Sequence, residues 1–179
     1  SRGFKWNDER ENELESLVLG NTVLRTVTQA EIGSVSNAYD EVDQYLAHLA
    51  STVGPLGGLR IAVDCANGAA STTAHRLLDR YSLDISWLND VPNGTNINEN
   101  CGCTNLWNLA STVRAGGFDL GIAFDGDGDR CLVVDEKGRY VDGDQLMSVC
   151  ALQMAREEKL PWSGFVGTVM SNIGLLKFA

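Results

Sequence analysis

Between residues 59 and 141 the apolar positions fall into short runs separated by glycine, asparagine and aspartate, and the stretches between those runs carry apolar residues at helical spacing. Leu-Arg-Ile-Ala-Val-Asp at 59–64 and Leu-Asp-Ile-Ser-Trp-Leu at 83–88 read as strands, as do 119–124 and 131–134, which are short, apolar and partly β-branched. Asp135-Glu-Lys-Gly138 supplies a hairpin turn, and Arg139-Tyr-Val141 forms the returning strand. Asn67-Gly68 opens a helix reaching Leu78, and a second helix is predicted over 106–115. The order strand, helix, strand, helix, strand, hairpin is that of a three-layer α/β/α sandwich on a mixed, mostly parallel sheet. Ligands gather at the carboxyl ends of such strands.

The flanks extend this pattern. Residues 8–19 are acidic, with Leu14, Leu17 and Val18 at helical spacing, and read as a helix. Ser36-Asn37 can cap a helix with Val42, Tyr45, Leu46 and Leu49 on one face, stopped by Gly54-Pro55 and Gly57-Gly58. Beyond the hairpin, Val141-Asp-Gly-Asp144 starts a helix to Lys159, capped by Asp142 or Asp144, with Leu146, Val149, Cys150 and Met154 on its inner face. Residues 164–170 read as one more strand.

The strand ending at Phe124 runs straight into Asp125-Gly-Asp-Gly-Asp-Arg130. Carboxylates at every second position, separated by residues without side chains, let a tight loop turn Asp125, Asp127 and Asp129 onto one hard divalent ion such as Mg²⁺. Without a cation they repel one another, which argues against a plain solvated turn. Arg130 adds a fixed fork of donors matched to phosphate oxygens, so the loop reads as phosphoryl-transfer chemistry. Asp125, Asp127, Asp129 and Glu136 also imitate an EF-hand calcium loop, but Arg130 stands where that loop needs glycine, and its flanks are strands rather than helices. An aspartyl-phosphate phosphatase is a second rival, although such loops usually carry Thr or Val at the place of Asp129.

Composition narrows the class. The 179 residues are 44% hydrophobic, enough for a core, and the net charge of −10 argues against a nucleic-acid or anionic membrane surface. No apolar run approaches the roughly 20 residues that span a bilayer, and no signal-peptide pattern opens the chain. The five cysteines, Cys65, Cys101, Cys103, Cys131 and Cys150, lack paired metal-ligand spacing and read as reduced thiols of a cytoplasmic protein. His48 and His75 both fall inside predicted helices without a partner in sequence, so neither receives a catalytic role. Asn67 and Gly68 read as turn and helix cap rather than as substrate contacts, and the loop over 96–105 is either solvated or lines the cleft.

The segment Ala123-Phe-Asp-Gly-Asp-Gly-Asp-Arg130 resembles the metal-binding loop of the α-D-phosphohexomutases. Val63-Asp-Cys-Ala-Asn-Gly-Ala-Ala70, Asn96-Ile-Asn-Glu-Asn-Cys-Gly102 and Val141-Asp-Gly-Asp144 resemble, within that superfamily, the bacterial phosphoglucosamine mutases. The resemblance implies a phosphohexomutase domain 2 over 36–141, the end of domain 1 over 1–35 and the start of domain 3 over 142–179. It implies an isomerase, an intramolecular phosphotransferase acting on a phosphosugar of amino-sugar metabolism and cell-wall precursor supply. Asp125, Asp127 and Asp129 would hold Mg²⁺, and Arg130 would be catalytic, steadying the transferring phosphate. Homodimer formation is compatible with it. A phosphomannomutase or phosphoglucomutase and a non-enzymatic cation-binding module are the alternatives. The family's Ser-His-Asn-Pro phosphoserine motif and its Arg-x-Ser-Gly-Thr phosphate clamp do not occur between Ser1 and Ala179, so the expectation is an inactive middle fragment. Where phosphoglucosamine mutases usually read Cys-Gly-Ser-Thr-His, this chain has Cys101-Gly-Cys-Thr-Asn105, which leaves the roles of Cys103 and Asn105 open.

Overall fold

Ile61 and Val63 point to one face of the central strand and Ala62 to the other, and all three are buried, as a strand between two helical layers requires. The computed structural model describes residues 3–20, 23, 26–28 and 31–179, and the chain divides into two units, Ser1–Tyr39 and Asp40–Ala179. Of the expected first segment, 1–35, residues 1, 2, 21, 22, 24, 25, 29 and 30 lie outside the described residues.

The first unit carries helix α1, Asp8–Leu19, whose cap is Asn7: its side chain accepts the Arg10 N–H at 3.2 Å. Leu14, Leu17 and Val18 remain exposed.

In the second unit, α2 spans Tyr39–Ser51 and buries Leu46. Strands β1 (Gly57–Asp64), β2 (Ser82–Leu88), β3 (Leu120–Phe124), β4 (Cys131–Asp135) and β5 (Tyr140–Val141) form one sheet in the order β2-β1-β3-β4-β5. β1 pairs in parallel with β2 and β3, placing Val63 beside Trp87 on one side and Ile122 on the other. β4 runs antiparallel to β3, and β5 to β4. Helix α3, Ala70–Leu78, lays Ala70 and Ala74 against Ile61, Val63 and Cys65 on one face. Helix α4, Trp107–Gly116, covers the opposite face with Leu109, Ala110 and Val113 against Ala62, Ala123 and Val134. The result is an α/β/α sandwich on a mixed sheet.

Three readings of strand extent and helix face change. Asp119 lies outside β3, because its carboxylate accepts the Arg60 N–H at 2.8 Å while its own N–H donates to the Arg60 carbonyl, also at 2.8 Å. Helix α5, Gly143–Arg156, is capped by Asp142 in a reciprocal box with Gln145, but it buries Ala151 rather than Val149, Cys150 and Met154, which are exposed. Residues 164–170 form no strand; Val166, Val169 and Met170 are exposed. An extended segment needs a neighbouring strand to take up its backbone groups, and none lies beside it among the described residues. Helix α6, Ile173–Phe178, follows and packs on α5, with the Asn172 N–H donating to Asp144 at 2.7 Å. No helix among the described residues is long and apolar enough to cross a membrane.

Candidate functional site

The parallel strands β1, β2 and β3 deliver three connections to the same edge of the sheet, and the acidic loop is one of them. Pairing of Phe124 with Cys131 closes its base. Gly128, at φ 72°, donates its N–H to the Asp125 carbonyl at 3.0 Å, a reversal open to glycine because it has no Cβ.

Asp125 is only 3% exposed. Its Oδ1 accepts the N–H groups of Asp129 at 3.1 Å and Arg130 at 3.0 Å, and its Oδ2 accepts Nε–H of Arg130 at 2.9 Å. The Arg130 N–H, helped by the guanidinium and opposed by burial, holds the Asp125 carboxyl at about 2. The separate Nε–H bond to Asp125 Oδ2 raises the Arg130 guanidinium above its already high ordinary value. Asp127 and Asp129 are exposed, and Asp129 Oδ1 stands 3.9 Å from Arg130 Nε. Asp127 helps line a cavity of about 260 Å³ between α2 and α3, together with Tyr45, Leu46, Leu49, Thr73 and Phe124.

Three carboxylates on one short loop offer the hard oxygen donors that a divalent cation takes, so the donor set fits in kind and number. In placement the three stay apart, and no group of three His, Cys, Asp or Glu among the described residues stands ready to hold a metal ion. Asp125 already holds a cation, the Arg130 guanidinium.

The loop is stitched to its neighbours through backbone. Ala69 N–H donates to the Gly126 carbonyl at 2.9 Å, and a Cβ on Gly68 would collide with that same carbonyl. Beneath the loop, the Cys103 thiol lies 3.0 Å from the Ala123 carbonyl and 3.6 Å from that of Arg130, touching both ends of it. Asn105 accepts the Trp107 N–H at 3.4 Å, at the start of α4. Asp64, fully buried, accepts the N–H groups of Ala66 and Gly102. Asn98 N–H closes the circuit on the Ala66 carbonyl at 2.9 Å. The loop over 96–105 is thereby tied to the strand ends.

Asn67 makes the turn after β1 but does not cap α3. It stands at φ 47°, and its side chain reaches away to the Asn96 carbonyl and the Val91 N–H. Ala66, Asn89, Asn98 and Asn100 share its left-handed conformation, which asparagine adopts readily and alanine only under strain. His75 meets its partners only in the fold: Nε2 lies 2.8 Å from Asp90 Oδ2, and its ring stacks on Trp87 at 3.6 Å. Asp64, Cys103 and the His75–Asp90 pair join residues far apart in the chain, and no local pattern announces them.

Comparison with known proteins agrees with this fold. Residues 43–138 match the family model described as phosphoglucomutase/phosphomannomutase, alpha/beta/alpha domain II. Over 174 residues the chain is 47% identical to the phosphoglucosamine mutase of Symbiobacterium thermophilum, covering 97% of this chain and 39% of that protein. The Bacillus cereus phosphoglucosamine mutase is 46% identical over 180 residues, with 99% and 40% covered. The crystal structure of a phosphoglucomutase/phosphomannomutase family protein from Burkholderia thailandensis superimposes with a TM-score of 0.64 at 26% identity, over 86% of this chain and 33% of that one. The chain thus spans about 40% of the length of the curated relatives it matches.

Proposed function

The chain belongs to the phosphoglucomutase/phosphomannomutase family through its alpha/beta/alpha domain II, and from that premise we propose that it is the central part of a phosphoglucosamine mutase. Such an enzyme moves a phosphoryl group between an enzyme phosphoserine and glucosamine 6-phosphate, forms the 1,6-bisphosphate, and returns the other phosphate to give glucosamine 1-phosphate. The serine and the distal phosphate clamp would come from segments outside 1–179. On this reading 1–35 closes a first domain, 36–141 is the central one and 142–179 opens a third.

The observation that carries the proposal is the seating of Asp125, Asp127, Asp129 and Arg130 at the carboxyl end of β3, where a parallel sheet presents ligands. Asp125, Asp127 and Asp129 would hold Mg²⁺. When bound, it neutralises charge on the transferring phosphoryl group. Asp125 is the fixed point of the loop, since two backbone N–H groups orient its carboxylate whatever else is bound. Arg130 is the mobile one, a long exposed side chain able to turn its fork to a phosphate. The five free thiols support a reducing, cytoplasmic setting.

A coupled assay of the parent polypeptide with glucosamine 6-phosphate and a bisphosphate activator tests the reading, with glucose and mannose phosphates as competitors. We expect glucosamine 6-phosphate to be preferred and the 179-residue chain alone to be inactive, because a missing nucleophile costs orders of magnitude. Preference for glucose or mannose phosphates would move the assignment to phosphoglucomutase or phosphomannomutase. Turnover by the isolated chain would end the fragment reading. Cation binding with no turnover on any sugar would leave a binding module.

A further inference from the structure

We infer that Arg130 is the loop's own counter-cation, which holds Asp125 until a divalent cation displaces it; the inference rests on the cation-site reading above. Three carboxylates within five residues repel one another unless positive charge enters among them. The positive charge among them is the Arg130 guanidinium, with Nε 2.9 Å from Asp125 Oδ2 and 3.9 Å from Asp129 Oδ1. A carboxylate offers about four lone-pair sites. Three of those on Asp125 are taken, two by the N–H groups of Asp129 and Arg130 and one by the guanidinium. The most deeply placed ligand of the three is therefore the one already occupied.

The two partners differ in freedom. Asp125 is buried and pinned by backbone N–H groups, whereas the Arg130 side chain is 66% exposed on a flexible stem. Displacement therefore moves the guanidinium alone and leaves the turn of the loop intact. A pair with one exposed partner is weak, so a divalent ion can replace it, but only by competing. Apparent cation affinity then falls in proportion to the fraction of molecules in which Arg130 has let go. The guanidinium so released is free to meet an anion beside the loop, which couples cation entry to exposure of the phosphate-binding fork.

Calorimetric titration of the 179-residue chain with Mg²⁺, on the wild type, Arg130→Gln and Asp127→Ala, tests this, with thermal melts to show that each is folded. The Nε–H resonance of Arg130 is followed by NMR through the wild-type titration. We expect Arg130→Gln to bind Mg²⁺ roughly tenfold more tightly, Asp127→Ala to lose binding, and the Arg130 Nε–H signal to shift in step with saturation. Equal or weaker binding in Arg130→Gln, or an Nε–H signal unmoved by Mg²⁺, with binding still lost in Asp127→Ala, would overturn the counter-cation and leave the cation site standing. Binding that survives Asp127→Ala, or is absent from wild type and Arg130→Gln alike, would overturn the site reading itself and the inference with it.

Discussion

The Asp64 carboxylate, at the buried end of β1, accepts the backbone N–H of Gly102 at 3.0 Å across 38 residues of sequence. Its other oxygen accepts the Ala66 N–H at 2.9 Å, so one side chain fixes both the turn after β1 and the loop that reaches back over it. Gly102 stands at φ 66° against the Phe124 carbonyl and the Ala66 side chain, which binds this junction to the strand that carries the acidic loop. The floor of the site is set by a residue with no chemistry of its own.

Replacing Asp64 with alanine should therefore cost stability beyond a cavity. Two buried N–H groups lose their acceptor, at about 1–3 kcal/mol each. We expect Asp64→Ala to lower the unfolding free energy by about 2–5 kcal/mol in urea melts, and Asp64→Asn, which keeps one acceptor oxygen, by clearly less. Equal small losses in both would mean that the junction is held elsewhere.

A methyl group at Gly68 tests the contact between the turn and the loop. Because the group it would meet is the Gly126 backbone, the loop itself has to shift. We expect Gly68→Ala to cost about 1–3 kcal/mol and to weaken Mg²⁺ binding, whereas Gly143→Ala, which has open space, should leave cation binding unchanged.

Cysteine accessibility offers a third check. Burial, reinforced by Asp90 and Asp64, pushes the Cys65 thiol up to about 12, and burial raises Cys101 as well. Cys150 is exposed. Timed alkylation at pH 8 with mass spectrometry should label Cys150 first and reach Cys65 and Cys101 only on unfolding. Early labelling of Cys65 would contradict the packing of α3 on β1.

The hairpin turn supplies a pH dependence. The Arg139 N–H is the largest influence lowering the Asp135 carboxyl, burial opposes it, and the Arg139 guanidinium and Lys137 N–H reinforce it. A carboxyl lowered on folding stabilises the protein above its unfolded value, near 3.9, and that stabilisation disappears as pH falls toward the folded value. We expect wild-type stability to decline more steeply than that of Asp135→Asn below about pH 4. Parallel declines would remove Asp135 from the acid response.

Much of this is legible in the sequence, where local pattern and tertiary need agree. Ile61, Val63, Ala62 and the β-branched runs at 119–124 and 131–134 gave the sheet, and alternating Asp and Gly gave the loop with Arg130 at its end. Residues 164–170 show the opposite case: their composition suits a strand, but a strand is a property of two segments. Asn67 reads as a cap because caps are local, whereas its bonds go to Asn96 and Val91. The pairings of Arg130 with Asp125 and of His75 with Asp90 follow from how the loop and α3 pack. Residue type alone does not distinguish an arginine that meets a phosphate from one that meets its own aspartate.

The most direct test of the account is anomalous diffraction from crystals of the chain grown with Mn²⁺ in place of Mg²⁺. We expect one strong peak at the loop, with carboxylate oxygens of Asp125, Asp127 and Asp129 at about 2.0–2.3 Å and Arg130 turned away from Asp125. No peak there at saturating Mn²⁺, with Arg130 still on Asp125, would contradict it.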